Sequence, residues 1–168
     1  MDAQTLRAQA FKALHERAGA FVIPNPWDAG SAKMLASLGF EALATTSAGY
    51  AFSQGRADGG LTLDDTLLNV QAIVAATDLP VAVDLENGFA DNPADCAKSI
   101  LRAAEAGAVG GSIEDATGRE EGPIYCFEHA VARIEAAVAV ARSLPFPFTL
   151  TARAENFLHG NPDLADTI

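Results

Sequence analysis

Two carboxylates separated by one residue close an apolar run in Val81-Ala-Val-Asp84-Leu-Glu86-Asn-Gly-Phe89. Side chains alternate along an extended strand, so Asp84 and Glu86 can face the same side. Anions held that close repel unless a proton or a cation lies between them. A third acid, in Ser112-Ile-Glu114-Asp115, ends the next apolar run. If the two runs are neighbouring strands, three oxygen ligands converge. Such a set suits Mg²⁺, which prefers few carboxylates together with waters and a substrate oxygen; Mn²⁺ is the other candidate. The simpler explanation of an isolated Asp-x-Glu is a pair of solvated loop acids. Adding Glu114 moves the reading to a metal site formed by Asp84, Glu86 and Glu114.

Other residues could join that chemistry. Asp58 lies in Ser53-Gln-Gly-Arg-Ala-Asp-Gly-Gly60, where an Asp-Gly turn is the simpler reading. Arg153, in Thr151-Ala-Arg-Ala-Glu-Asn156, stands where another apolar run ends. Its planar fork could clamp a carboxylate bidentately or neutralise the acids beside it. Thr46-Ser47-Ala48-Gly49 offers small residues and backbone N–H groups, suited to holding a carboxylate or to turning the chain. His15, His129 and His159 have no metal-ligand spacing and read as surface positions. Cys96 and Cys126 fall on or beside helical stretches and read as packed thiols.

These residues need a scaffold, and the chain alternates short apolar runs with longer helical patterns. Strands are expected at Phe21–Pro24, Ala42–Thr46, Val81–Asp84, Val109–Glu114 and Phe148–Ala152, each nearly continuously apolar, as in strands buried on both faces. Helices are expected at Ala3–Arg17, Asp28–Leu38, Leu63–Ala76, Pro93–Ala106 and Phe127–Ser143. Phe127, Val131, Ile134 and Val138 would form one apolar stripe on the last. Thr62-Leu-Asp-Asp65 reads as a capping box, and Pro93 suits a first helical turn. Gly39 and Gly107 repeat one helix-to-strand joint. Repeated β-α units imply a parallel sheet. No Gly-rich turn follows the first run, which disfavours a doubly wound nucleotide fold. The polar residues gather after the strands, where barrel enzymes place their chemistry.

Composition narrows the classes further. The 168 residues are 49% apolar, enough for one sizeable core and too few for two ordinary domains. Eleven basic against 22 acidic side chains give a net charge of -11, which argues against nucleic-acid and anionic-membrane surfaces. No apolar run approaches the roughly 20 residues of a membrane span. The start, Met1 to Arg17, lacks the apolar stretch of a secretory signal. Two cysteines make no disulfide framework, so a cytoplasmic location is expected.

Six segments carry a family likeness in order: Asn25-Pro-Trp-Asp-Ala-Gly-Ser31, Thr45-Thr-Ser-Ala-Gly-Tyr50, Gly55-Arg-Ala-Asp-Gly59, Val83-Asp-Leu-Glu-Asn-Gly-Phe89, Ser112-Ile-Glu-Asp115 and Thr151-Ala-Arg153. Through them the sequence resembles the isocitrate lyase/phosphoenolpyruvate mutase superfamily. The resemblance implies a (β/α)₈ barrel that binds Mg²⁺ and acts on small 2-oxo or 2-hydroxy carboxylates through a pyruvate-type enolate. It assigns the metal to Asp84, Glu86 and Glu114, some through water. It puts Asp58 near metal and substrate, Arg153 on the substrate's oxygens, and the substrate carboxylate on Thr46, Ser47, Ala48 and Gly49. Two departures stand out. Asp84-Leu-Glu86 replaces the Asp-x-Asp of many members. The loop Ala116-Thr-Gly-Arg-Glu-Glu-Gly-Pro-Ile124 lacks the Lys-Arg-Cys-Gly-His of isocitrate and methylisocitrate lyases, with Gly122 near the position of the proton-donating Cys and Glu120 where the Lys would be. The Lys and Asn of phosphonomutases are missing there too.

The expectation is therefore a Mg²⁺-dependent carbon–carbon lyase, decarboxylating an oxaloacetate-like acid, since that step needs no Cys in the loop. An alkylmalate or methylisocitrate-type lyase, a phosphonopyruvate-processing enzyme, and a non-catalytic 2-oxo acid binder are the alternatives. A (β/α)₈ barrel takes about 250 residues. Residues 1–168 are thus expected to be one barrel domain truncated at its C-terminus, with about five β/α units. A homo-oligomer is expected at full length.

Overall fold

The computed structural model describes residues 2–168. Helix α1 (Ala3–Glu16) opens on Asp2, whose side chain accepts the Thr5 amide at 2.7 Å. Then come α2 (Ala29–Ser37), β1 (Leu43–Ala44), α3 (Ser47–Ser53), α4 (Leu63–Ala76), β2 (Val81–Asp84), α5 (Pro93–Glu105), β3 (Gly110–Glu114), α6 (Phe127–Ser143), β4 (Thr149–Arg153) and α7 (Leu164–Thr167). The strands form one parallel sheet in the order β1-β2-β3-β4. Sequential order without reversal is how a β/α barrel grows, each helix carrying the chain back over the outside.

Local chemistry sets the element ends. Thr62 and Asp65 form the reciprocal capping box of α4, and Pro93 takes the first turn of α5. Gly39 and Gly107 both have positive φ just past a helix, so the two joints are indeed alike. Phe21–Pro24 differs from expectation: it runs outside the sheet, and its tie to β1 is the Pro24 carbonyl accepting the Ala44 amide. Helix α3 was not anticipated, because Ser47-Ala-Gly49 reads locally as a turn; the Thr46 hydroxyl caps it by accepting the Gly49 amide.

Strand side chains alternate between two environments. Leu43, Val81, Val83 and Ile113 are buried among the helices, and Ala44, Ala82, Ser112, Thr149 and Thr151 line the concave inner face. At the bottom of that face Phe11 of α1 packs so close that a Cβ on Gly110 would stand 2.7 Å from its ring. On α6 the buried stripe is Arg133, Ala137 and Ala141, which lies toward α5. The expected stripe faces elsewhere: Phe127 is 78% exposed and, with Val131, Ile134 and Val138, borders an open apolar groove beside β4. Among the described residues no helix is long and apolar enough to cross a membrane.

Candidate active site

The C-terminal ends of β1 to β4 open into a cleft of about 1090 Å³. Parallel pairing brings the predicted residues there by register. Asp84 lies opposite Ser112, and Glu114 lies opposite Arg153. Asp84 is the most heavily bonded of them. Its Oδ2 accepts the Ser47 amide at 3.1 Å and the Ser47 hydroxyl at 2.8 Å. Its Oδ1 accepts the Glu86 amide and the Arg153 guanidinium, both at 3.2 Å. The Asp84 amide in turn donates to the hydroxyl of buried Thr45.

Arg153 sits amid acids, with Asp84 at 3.2 Å, Glu114 at 3.3 Å and Glu155 at 2.6 Å. Burial alone would lower its guanidinium, but the Glu155 hydrogen bonds and the charges of Asp84 and Glu114 outweigh it and hold it above its ordinary value. Glu155 was not anticipated. The signal was present: Arg153-Ala-Glu155 repeats the one-residue spacing of Asp84-Leu-Glu86 at a strand end, and it puts both groups in one place.

One arginine does not balance this much negative charge. Burial, then the charges of Asp84, Asp58 and Glu114, push Glu86 up to about 7. Glu114 is also pushed up to about 7 by burial; Arg153 opposes this, and Glu155, Asp84 and Asp58 add to it. Glu86 is held at φ 48°, a left-handed conformation uncommon for a side chain of its size. Its Oε1 is buried with no hydrogen-bond partner among the described residues. Such an atom is costly to leave alone and marks a place where something else belongs.

These features are the test of fit for a cation. Among the described residues no three or more His, Cys, Asp or Glu side chains are grouped so as to hold a metal ion between them, so Asp84, Glu86 and Glu114 do not all reach one ion directly. A closed cage is what Zn²⁺ or Ca²⁺ would need, whereas Mg²⁺ keeps several waters and takes one or two carboxylates directly. The oxygen-only donors, the surplus negative charge and the orphaned Glu86 oxygen fit Mg²⁺.

The remaining predicted residues divide into two groups. Asp58 is exposed on the cleft rim, where its carboxylate accepts the Gly59 amide. Thr46, Ser47 and Ala48 line the cleft, but the donors of Ser47 are taken by Asp84 and the Gly49 amide by Thr46. Gly49 is required by space, since a Cβ would stand 2.6 Å from Thr46 Cγ2. The loop 116–124 closes on itself through an Ala116–Ile124 bridge, and Arg119 and Glu120 line the cleft from it. Cys126 is exposed, contrary to the expectation that it packs: it takes the N-cap position of α6 with no capping bond from its side chain; Cys96 is buried as expected. His159 is exposed, whereas His129 contacts the Asp91 carbonyl at 2.8 Å.

Comparison with known proteins places the chain in a family. A family model described as phosphoenolpyruvate phosphomutase matches residues 11–168. The 2-methylisocitrate lyase of Salmonella typhimurium is 33% identical over 155 residues, covering 88% of this chain and 52% of the relative. A crystal structure from Burkholderia cenocepacia, provisionally named a lyase/mutase, has a TM-score of 0.97 at 63% identity, over 99% of this chain and 60% of that one. Oxaloacetate acetylhydrolase has a TM-score of 0.82 at 27% identity, over 92% and 55% of the two chains. The chain spans about half the length of the curated relatives it matches. Its sheet corresponds to part of their barrel. A match over the very elements that carry the acids and Arg153 makes the chain a member of the phosphoenolpyruvate phosphomutase family, within the isocitrate lyase/phosphoenolpyruvate mutase superfamily.

Proposed function

We propose that this site binds a small 2-oxo or 2-hydroxy carboxylate together with Mg²⁺ and cleaves a carbon–carbon bond in it. The decarboxylation of an oxaloacetate-like acid is the simplest case. The observation that carries the reading is the pairing of one guanidinium, Arg153, with an acid cluster that it cannot neutralise and whose Glu86 oxygen is buried without a partner. Asp84, Glu86 and Glu114 would hold the ion, some through water. When bound, Mg²⁺ supplies a Lewis acid that stabilises charge developing on the substrate's oxygens.

The chain's own residues supply the rest. Ser47 fixes the Asp84 carboxylate before any ligand arrives. Arg153 is held by Glu155 through Nε and Nη2, and its Nη1, which bonds only Asp84, would meet the substrate's oxygens and orient the bond to be broken. Asp58 faces the substrate from the rim. The departing carboxylate leaves as CO₂, and the carbon left behind takes its proton from water or from a group outside this sequence, since loop 116–124 offers no thiol or lysine. The similarity to oxaloacetate acetylhydrolase and to 2-methylisocitrate lyase supports a substrate of this class.

The loop's composition also favours a second reading, a non-catalytic binder of 2-oxo acids. Incubation with Mg²⁺ and oxaloacetate, following pyruvate release, separates the two. Release that EDTA and Arg153→Lys both suppress supports the lyase; tight binding without release supports the binder.

A further inference from the structure

Arg133 is 1% exposed, deep between α6 and the ends of β2 and β3, yet no carboxylate pairs with it among the described residues. Its guanidinium donates instead to three backbone carbonyls: Glu114 at 3.2 Å, Ala90 at 3.1 Å and Asn87. Its flat face lies 4.2 Å from the Tyr125 ring centroid. A buried charge of this kind costs several kcal/mol unless it is well bonded, and an apolar side chain would fill the same space more cheaply. Its place there calls for a use beyond packing.

The three carbonyls explain that use. Two belong to the turn after β2, where Glu86, Gly88 and Phe89 all have positive φ. Two non-glycine residues in that region within four positions are strained and persist only if the surroundings hold them. Ser99 of α5 ties the Gly88 carbonyl at 2.7 Å, and Arg133 of α6 ties those on either side. The third carbonyl belongs to Glu114 itself. The Glu114 amide in turn donates to the Glu86 carbonyl at 2.9 Å, so one guanidinium clamps both acidic segments at once.

We propose that Arg133 is a positioning residue that sets the spacing of Glu86 and Glu114 for a divalent cation, without touching either carboxylate. The proposal rests on the Mg²⁺ reading of the site. Outer groups that orient metal-binding side chains are typically worth about 10–100-fold in affinity.

The test compares Arg133→Met and Arg133→Lys with Ala137→Gly, a change on the same buried face of α6 that weakens the helix but removes no carbonyl donor. Two quantities are read: Mg²⁺ affinity by calorimetry, and amide exchange at residues 85–91 and 114–116. The expected result is binding at least tenfold weaker in Arg133→Met, several-fold weaker in Arg133→Lys, and unchanged in Ala137→Gly. Mg²⁺ affinity equal to wild type in Arg133→Met overturns the proposal. If Arg133→Met does not fold, Arg133→Lys decides, and unchanged affinity there overturns it. If the wild-type chain binds no Mg²⁺, the metal reading itself fails and amide exchange alone decides. Faster exchange in both segments then keeps Arg133 as the clamp, and unchanged exchange removes it.

Discussion

Ser47 donates both its backbone amide and its hydroxyl to a single oxygen of Asp84, at 3.1 and 2.8 Å. The two residues come from different β/α units, so the contact ties the first turn of α3 to the end of β2. With Arg153 and the Glu86 amide on the other oxygen, Asp84 accepts four hydrogen bonds. The carboxylate is therefore oriented in advance, which lowers the cost of ordering a site when a ligand arrives.

Removing that carboxylate should remove the site. Asp84→Ala is expected to abolish metal-dependent ligand binding while leaving a folded chain, as judged by calorimetry alongside circular dichroism. Wild-type binding by this variant would show that Asp84 serves only the fold.

Arg153→Lys keeps the charge but loses the planar fork that spans three acids. Affinity for a 2-oxo carboxylate in the presence of Mg²⁺ should fall by about tenfold or more, the scale of one charge-assisted hydrogen bond. Calorimetric titration reads this directly, and an unchanged affinity would return Arg153 to a purely structural role.

The raised Glu86 and Glu114 give the metal-free chain an unusual dependence on pH. Both sit at about 7 in the fold, against about 4.3 for an unfolded glutamate. Between those values the folded chain binds more protons than the unfolded one, so its stability falls as pH rises from about 4.5 to about 7. The carboxylates with lowered values, such as Asp28 and Asp65, act only at more acidic pH. A cation takes the place of the protons, so Mg²⁺ should raise the melting temperature more near pH 8 than near pH 5.5. A metal-free melting temperature that climbs across this window would contradict the acid cluster.

Two glycines with the same φ of +73° separate backbone strain from crowding. At Gly118 a Cβ meets nothing within 4 Å, whereas at Gly88 it would stand 2.4 Å from Cys96 Sγ. Gly118→Ala should cost about 1–2 kcal/mol for the left-handed conformation alone. Gly88→Ala should cost about 1–3 kcal/mol more, because Cys96 is buried and must move. Urea unfolding of both variants measures the difference.

Much of this was legible in the sequence because it rests on short-range rules. The strand-end positions of Asp84, Glu114 and Arg153 follow from apolar runs that stop, the capping box sets the start of α4, and α6 has its expected bounds although the expected stripe is not the face it buries. What was missed depends on tertiary contacts. Phe21–Pro24 has the composition of a strand but stays outside the sheet. The face α6 buries is chosen by close packing against α5, which favours Ala137 and Ala141 over the larger Val131 and Val138. Arg133 falls on that face, and no local signal distinguishes an arginine that reaches three carbonyls from one on the surface. The Glu155–Arg153 pair could have been found by applying the alternation rule a second time.

These strand ends are expected to make a cation-dependent site for a small 2-oxo acid. Calorimetric titration of oxaloacetate into the chain, once with saturating Mg²⁺ and once with EDTA, tests it most directly. The expected result is saturable one-to-one binding with Mg²⁺, none with EDTA, and none for Asp84→Ala in either condition. Equal affinity with and without the cation, or no binding in both, would contradict it.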